Sequence, residues 1–144
     1  MSSETLPAGQ YFMCDPCYVI PDEDWDRFIN EVAEETHAVF TLSNGQSVNV
    51  WYASTEFGDG TYLAESYLGS TDISVDSGCI GVVEVFDNPK STNDIFIINP
   101  KRKFEVSVED GTFKIASYEI QTGGQNFEYP DSDWFDSDFG DYDD

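Results

Sequence analysis

Residues 104–120 read FEVSVEDGTFKIASYEI, and this stretch is the clearest indication of fold class in the chain. Its first five residues alternate apolar and polar side chains, as expected for a strand with one buried face and one solvated face. Asp110-Gly111 then separates two apolar runs, which is a strong β-hairpin signal. The pattern predicts antiparallel strands joined by a tight turn.

Similar strand signals continue towards the N-terminus, with Ser43-Asn44-Gly45-Gln46 as a second hairpin turn. Residues 11–20 also have strand composition, but Pro16 lacks an N–H for the ladder, so we expect an edge strand, a bulge or two short strands. The other predicted strands are 38–42, 48–53, 62–67, 73–75, 79–86, 94–98, 104–108 and 112–120.

One helix is predicted, at about residues 22–34. Its apolar side chains recur at i, i+3, i+4 and i+7, and Pro21 is followed by three acids that suit a helix N-terminus. The fold class is therefore α+β: a mainly antiparallel sheet, curled or barrel-like, with one amphipathic helix near the N-terminus. We expect residues 1–9 to be a flexible leader, 10–122 a single domain, and 123–144 an acidic aromatic tail.

The charge balance is extreme, because 29 acids against 6 bases give a net charge of −23. The last twenty residues supply 8 of these acids, so the rest of the chain is strongly anionic as well. Such a field repels nucleic acid and anionic membranes and steers the protein towards basic partners. We expect no direct nucleic-acid binding and no membrane association. The alternative is that the acids serve only solubility, as in halophilic proteins.

Nothing in residues 1–10 has the basic and apolar regions of a signal peptide, and no apolar run approaches the roughly 18 residues of a spanning helix. Three cysteines, an odd number, suit a reducing compartment. These features predict a cytoplasmic protein, located in the host cytoplasm if the chain is phage-encoded. We expect no cofactor.

The cysteines offer a weak metal hypothesis. Cys14 and Cys17 form a CxxC pair, and with Cys79 and His37 they would supply a Cys₃His zinc set. A redox role is a second alternative, although this CxxC lies in a strand-like segment rather than at a helix start. We favour structural cysteines and a structural histidine.

Asp15, Asp59 and Asp76 form a candidate ligand pocket, because carboxylates that converge bind hard cations or act in acid–base chemistry. The glycines on either side of Asp59 are typical of a turn rather than of a phosphate loop. A single histidine argues against a catalytic triad. On this basis a small enzyme or a ligand- or metal-binding domain is the alternative interpretation, and a non-enzymatic role is favoured.

Three segments resemble the signature of an uncharacterised family of small bacterial and bacteriophage proteins. They are DPCYVI (15–20), FGDGTY (57–62) and DSGCIG (76–81). The resemblance spans about residues 10–85 and implies no catalytic activity. It implies a phage origin and a shared structural core that includes Cys17 and Asp59.

The tail, residues 125–144, alternates acids with six aromatics and has no Lys or Arg. Carboxylates resemble phosphates and aromatic rings resemble stacked bases, so the tail suits a basic surface that normally binds nucleic acid. The partner-binding residues predicted there are Asp131, Asp133, Trp134, Phe135, Asp136, Asp138, Phe139, Asp141 and Tyr142. The predicted function is an acidic module, of phage type, that inhibits a host nucleic-acid-binding protein as a nucleic-acid mimic in anti-defence. The alternatives are a purely solubilising tail and a structural component of a larger assembly.

Overall fold

A computed structural model describes residues 2–90, 95–122, 137–138 and 140–141. Within them the chain forms thirteen strands, one α-helix and one 3₁₀ turn. The strands are β1 (Ser2–Leu6), β2 (Tyr11–Cys14), β3 (Ala38–Thr41), β4 (Ser47–Ser54), β5 (Gly60–Ser66), β6 (Gly69–Val75), β7 (Cys79–Glu84), β8 (Phe96–Ile98), β9 (Phe104–Glu109), β10 (Thr112–Ile115), β11 (Tyr118–Gln121), β12 (Ser137–Asp138) and β13 (Gly140–Asp141). The 3₁₀ turn is Pro16–Tyr18, and the helix α1 is Asp22–Glu31.

The structure is mostly antiparallel sheet with one helix, as the sequence predicts, but the strands do not close into a barrel. Five strands form a central sheet in the order β3-β4-β7-β2-β8. Six others form an outer sheet in the order β1-β9-β10-β11-β5-β6. Both sheets are open within the described residues, and β12 pairs only with β13 there.

The central sheet is covered on both faces. One face packs against the inner face of the outer sheet around Trp51, Met13 and Phe113. The other face packs against α1 through a second cluster that includes Phe28 and Tyr52. Because each sheet needs an apolar cover for an apolar face, the order of layers is helix, central sheet, outer sheet. No helix in the described part of the chain combines the length and apolar character that crossing a membrane requires.

Strand β2 occupies an interior position between β7 and β8, so the expectation of an edge strand was wrong. All four of its residues are buried, because alternate side chains enter the two clusters on opposite faces of the central sheet. Pro16 lies beyond the strand, at the start of the 3₁₀ turn, where its missing N–H costs no ladder bond.

Three element boundaries also differ from the sequence predictions. Residues 2–6, expected to be part of a flexible leader, pair with β9 as an edge strand of the outer sheet. The predicted strand 112–120 is two strands, because Ala116 takes a left-handed conformation (φ 54°) that turns the chain. Helix α1 ends at Glu31, and Val32 takes an extended conformation.

Helix α1 is held to the β3–β4 turn by the buried carboxylate of Asp24. Its Oδ2 accepts a hydrogen bond from the Ser43 N–H at 3.2 Å, and its Oδ1 accepts one from Arg27 Nη2 at 2.8 Å. The Ser43 hydroxyl also donates to Oδ1. Burial opposes ionisation of Asp24, but the hydrogen bonds from Ser43 and Arg27 outweigh it and lower the pKa of this carboxyl.

Candidate functional site

The segments DPCYVI and DSGCIG meet at the carboxylate of Asp15, which is completely buried. Its Oδ2 accepts hydrogen bonds from the backbone N–H groups of Asp76, at 2.8 Å, and Ser77, at 2.6 Å. Its Oδ1 accepts from the Ser77 hydroxyl at 2.6 Å and from the Cys17 N–H at 3.0 Å. Asp15 therefore ties the 3₁₀ turn to the β6–β7 turn, across more than 60 residues of sequence.

The other two residues of the candidate ligand pocket lie around this buried carboxylate. Asp59 and Asp76 are both exposed. Asp59 lies close to the β6–β7 turn, since a Cβ placed on Gly78 would be 3.9 Å from Asp59 Oδ1. Nearby, the pKa of Tyr18 is raised by its burial and then by the negative charges of Asp76, Asp15 and Asp59.

This arrangement limits what the three carboxylates can do. The described residues supply Asp15 with four donors, which satisfy its oxygens without a ligand. Only Asp59 and Asp76 present carboxylates to solvent. The key partner that sequence reasoning missed is Ser77, whose hydroxyl and N–H both bind Asp15. Its place in an Asp-Ser-Gly turn was the available signal, but the sequence does not show which carboxylate the turn would meet.

The environment of the three thiols favours their protonated form at neutral pH. Burial, followed by the negative charge of Asp15, raises the pKa of Cys17 to about 12 and that of Cys79 to about 11. Burial also raises the pKa of Cys14, which is almost inaccessible. A protonated thiol is a poor nucleophile, so this environment does not favour redox chemistry at these cysteines.

His37 has a polar partner outside the cysteine group. Its Nε2 lies 2.8 Å from Asn49 Oδ1, and the Asn49 amide nitrogen donates to Glu84 Oε1 at 3.0 Å, so Nε2 is the donor to Asn49. No three His, Cys, Asp or Glu side chains in the described ranges are arranged to hold a metal ion. The Cys14, Cys17, His37 and Cys79 set therefore does not assemble there into a zinc site.

The predicted partner-binding residues of the tail lie largely outside the described residues. Asp131, Asp133, Trp134, Phe135, Asp136, Phe139 and Tyr142 are among those not described. Asp138 and Asp141 belong to β12 and β13, for which the structure describes backbone pairing alone. Their role stays a prediction.

The acids of the described body are mainly on its surface. Residues 2–90 and 95–122 contain 20 acids, of which 16 are exposed and only Asp15 and Asp24 are buried. Glu65 on β5 lies directly opposite Glu119 on β11, and both are exposed on the solvent face of the outer sheet. Directly opposed residues of antiparallel strands have Cβ atoms about 4.5–5.5 Å apart, so the two like charges repel each other.

The solvent face of the outer sheet, which we call the acidic face, also carries Glu105 two strands away from Glu119. Lys114, on β10, lies directly opposite Glu119 and is the basic residue among these side chains. Strand alternation predicts that these side chains point outward, but only the observed register shows that Glu65 and Glu119 are neighbours. Sequence reasoning therefore missed this pair.

Comparison of the chain with protein-family models, curated proteins and solved structures finds no match.

Proposed function

We propose that this chain is an acidic protein-binding module that occupies a basic, nucleic-acid-binding site on a partner protein and inhibits it as a nucleic-acid mimic. The acidic face and the tail form its binding surface. The resemblance to small bacterial and bacteriophage proteins adds that the module is of phage type and that the partner is a host protein.

The observation that carries the proposal is the opposed pair Glu65 and Glu119 on an open, solvent-exposed sheet face. Like charges placed directly opposite each other destabilise a sheet, and a Lys or Gln at either position would relieve the repulsion. Lys114 lies opposite Glu119 on its other side, so Glu65 is the member of the pair without an opposed base in the β5–β11 register. Charge arrangements that are not optimal for stability are typical of binding surfaces. A partner with Lys or Arg opposite these carboxylates would turn the repulsion into attraction.

Under the proposal, the tail contributes aromatic residues to partner binding. Trp134 and Phe135 stand between Asp133 and Asp136, which combines rings for stacking with flanking negative charge. Under the proposal, replacement of both aromatics by alanine weakens the partner complex more than the loss of any single aspartate.

A capture experiment with a matched pair of variants tests the proposal. The full chain is immobilised, incubated with bacterial lysate, and then washed with short duplex DNA or with a neutral polymer. We expect at least one captured protein to be released by DNA and not by the polymer. The variant Glu65→Gln/Glu119→Gln should lose capture several-fold, because steering and contact charges are removed from the acidic face.

The control variant is Glu23→Gln/Asp26→Asn on the exposed side of α1, which changes the net charge by the same amount. It should retain most of the capture. The acidic-face variant should keep the stability of the parent within about 1 kcal/mol, because relief of the Glu65–Glu119 repulsion offsets loss of the charge opposite Lys114. An equal loss in both variants, or capture that DNA never reverses, would contradict the proposal.

A further inference from the structure

A groove of about 450 Å³ lies between the β8–β9 connection and the turns β5–β6 and β10–β11. Its apolar lining includes Leu68 and Ile97, which are 67% and 45% exposed, and the floor includes Phe96. Tyr67, at its edge, is 87% exposed. Large apolar side chains this exposed and this close together are typical of a binding groove.

The groove is also the basic part of an acidic molecule. Lys101, Arg102 and Lys103 line it, and none of its lining residues is acidic. The chain has six Lys and Arg in all. Among the described residues Arg27 and Lys90 form ion pairs with acids, whereas the run 101–103 is exposed and forms none. Three of the four remaining bases therefore stand beside one apolar groove.

Residues 125–144 have the complementary chemistry. They contain 8 acids, six aromatics and no base. Asp133-Trp134-Phe135-Asp136 would place two rings in the apolar part of the groove and a carboxylate on either side for the basic run. Arg and Lys pair with carboxylates and also stack on aromatic rings, so the same three bases suit both features of the tail.

The chain is long enough to make this contact within one molecule. Thr122 follows β11 and donates its N–H to the Gly111 carbonyl at 2.9 Å, so this end of β11 lies beside the β9–β10 turn. Tyr118, at the other end of β11, lines the groove. Four strand residues span roughly 13 Å. The twelve residues from Thr122 to Trp134 reach up to about 40 Å when extended, which exceeds that distance threefold.

We propose that this groove binds the acidic aromatic tail of the same chain, with Trp134 and Phe135 on its apolar surface and neighbouring aspartates on Lys101–Lys103. The tail then has two competing binding sites, which are the groove of its own chain and the basic surface of a partner. Release from the groove becomes a step of partner binding, and the contact keeps the aromatic residues covered until a partner displaces them. The self-contact itself does not depend on the proposed partner.

Fluorine NMR of the full chain tests this contact. All three tryptophans are replaced by 5-fluorotryptophan, and the Trp134 resonance is assigned by its loss in Trp134→Phe. The reference is a synthetic peptide of residues 123–144 with the same label. We expect the Trp134 resonance of the full chain to differ from that of the peptide, and to move towards the peptide position in Lys101→Gln/Lys103→Gln and in Leu68→Ser.

Two matched controls accompany these variants. Lys90→Gln/Lys114→Gln removes the same charge elsewhere, and Leu63→Ser removes an exposed leucine from the acidic face; neither should move the resonance. A parent resonance at the peptide position, or an equal response to the groove and control variants, would overturn the proposal. A Trp134 resonance whose position changes on dilution would also overturn the proposal, because it would show that the groove binds the tail of a second copy. None of these readouts involves a partner, so failure here leaves the capture experiment intact.

Discussion

At the scale of single residues, the carboxylate of Asp15 joins two segments that the sequence could only describe as separate turns. It is fully buried and accepts hydrogen bonds from Cys17, Asp76 and Ser77. A buried carboxylate is costly unless its oxygens are satisfied, and here backbone and hydroxyl donors satisfy them. The resulting role is to position the β6–β7 turn.

This role predicts a large stability effect at one aspartate of the candidate pocket and small effects at the other two. Asp15→Ala should lower the free energy of unfolding by roughly 3 kcal/mol, because it leaves buried donors without an acceptor. Asp59→Ala and Asp76→Ala, at exposed positions, should change it by about 0.5 kcal/mol or less. Urea denaturation followed by circular dichroism measures all three.

If Asp15→Ala does not fold, Asp15→Asn provides the same comparison, since its amide nitrogen would face donors and cost stability without changing volume. Stability equal to that of the parent in Asp15→Asn would contradict the structural role.

The thiols give a second prediction at this scale. Because burial and Asp15 raise the pKa of Cys17 to about 12 and that of Cys79 to about 11, the thiolate fraction of both is very small at pH 8. Alkylation by iodoacetamide at pH 8 should be at least about tenfold slower in the native chain than in urea, where thiols titrate near 8.5. Mass spectrometry of digested protein assigns the sites.

The sign of the linked pH effect follows from the same shifts. The folded chain holds these protons more tightly than the unfolded chain, so their contribution to stability is complete below the ordinary thiol pKa and is lost as pH rises towards the folded values. Rapid alkylation of native Cys17 at pH 8 would show that its environment does not raise its pKa.

At the scale of elements, β7 shows why a strand of this sheet contains glycine. Gly81 pairs with Tyr52 on β4, and a Cβ at Gly81 would lie 2.1 Å from the Trp51 carbonyl oxygen and 2.6 Å from Tyr52 Cβ. The backbone of β4 approaches β7 too closely for any side chain there. The last glycine of DSGCIG therefore serves the packing of two central strands.

Gly81→Ala is predicted to be strongly destabilising for this reason. The clash involves backbone atoms of β4, which cannot move without disturbing the central sheet, and we expect a loss of about 2 kcal/mol or more. Thermal unfolding monitors the change. Ser74→Ala, an exposed substitution on β6, is the control and should leave the midpoint almost unchanged. An unchanged midpoint in Gly81→Ala would mean that β4 and β7 are further apart than described.

Most elements could be predicted from local pattern, and the two exceptions have different causes. The Phe104–Glu109 and Thr112–Ile115 hairpin follows from alternation and its Asp-Gly turn. The turn at Ala116 was missed because an alanine with positive φ carries no sequence signal. The interior position of β2 was missed because a proline nearby suggested an edge. The position of β2 is set by pairing with the distant strands β7 and β8, whereas the turn at Ala116 joins two strands that are adjacent in sequence.

At the scale of the whole molecule, charge is the dominant property. A net charge of −23, with 16 of the 20 acids in 2–90 and 95–122 exposed, means that the folded chain repels itself. The opposed pair Glu65 and Glu119 is one local instance of this repulsion.

Screening should therefore stabilise the fold. The midpoint of thermal unfolding is expected to rise by several degrees between about 0.01 M and 1 M NaCl, as the Debye length falls from about 30 Å to about 3 Å. Glu65→Gln/Glu119→Gln should show a smaller rise, because part of the repulsion is already removed. A midpoint that falls with salt would indicate that attractive ion pairs, and not self-repulsion, dominate the electrostatics.

The sequence by itself determined the antiparallel β character, the single amphipathic helix, the hairpin turns and the anionic surface, because alternation, helical spacing, turn residues and charge are local or additive properties. Only the tertiary structure decided that the strands form two open sheets, that β2 lies in the interior, that Asp15 meets Ser77, and that Glu65 faces Glu119. These facts depend on which distant segments pair and in what register. A single sequence contains no measure of those contacts, since many pairings satisfy the same alternating pattern.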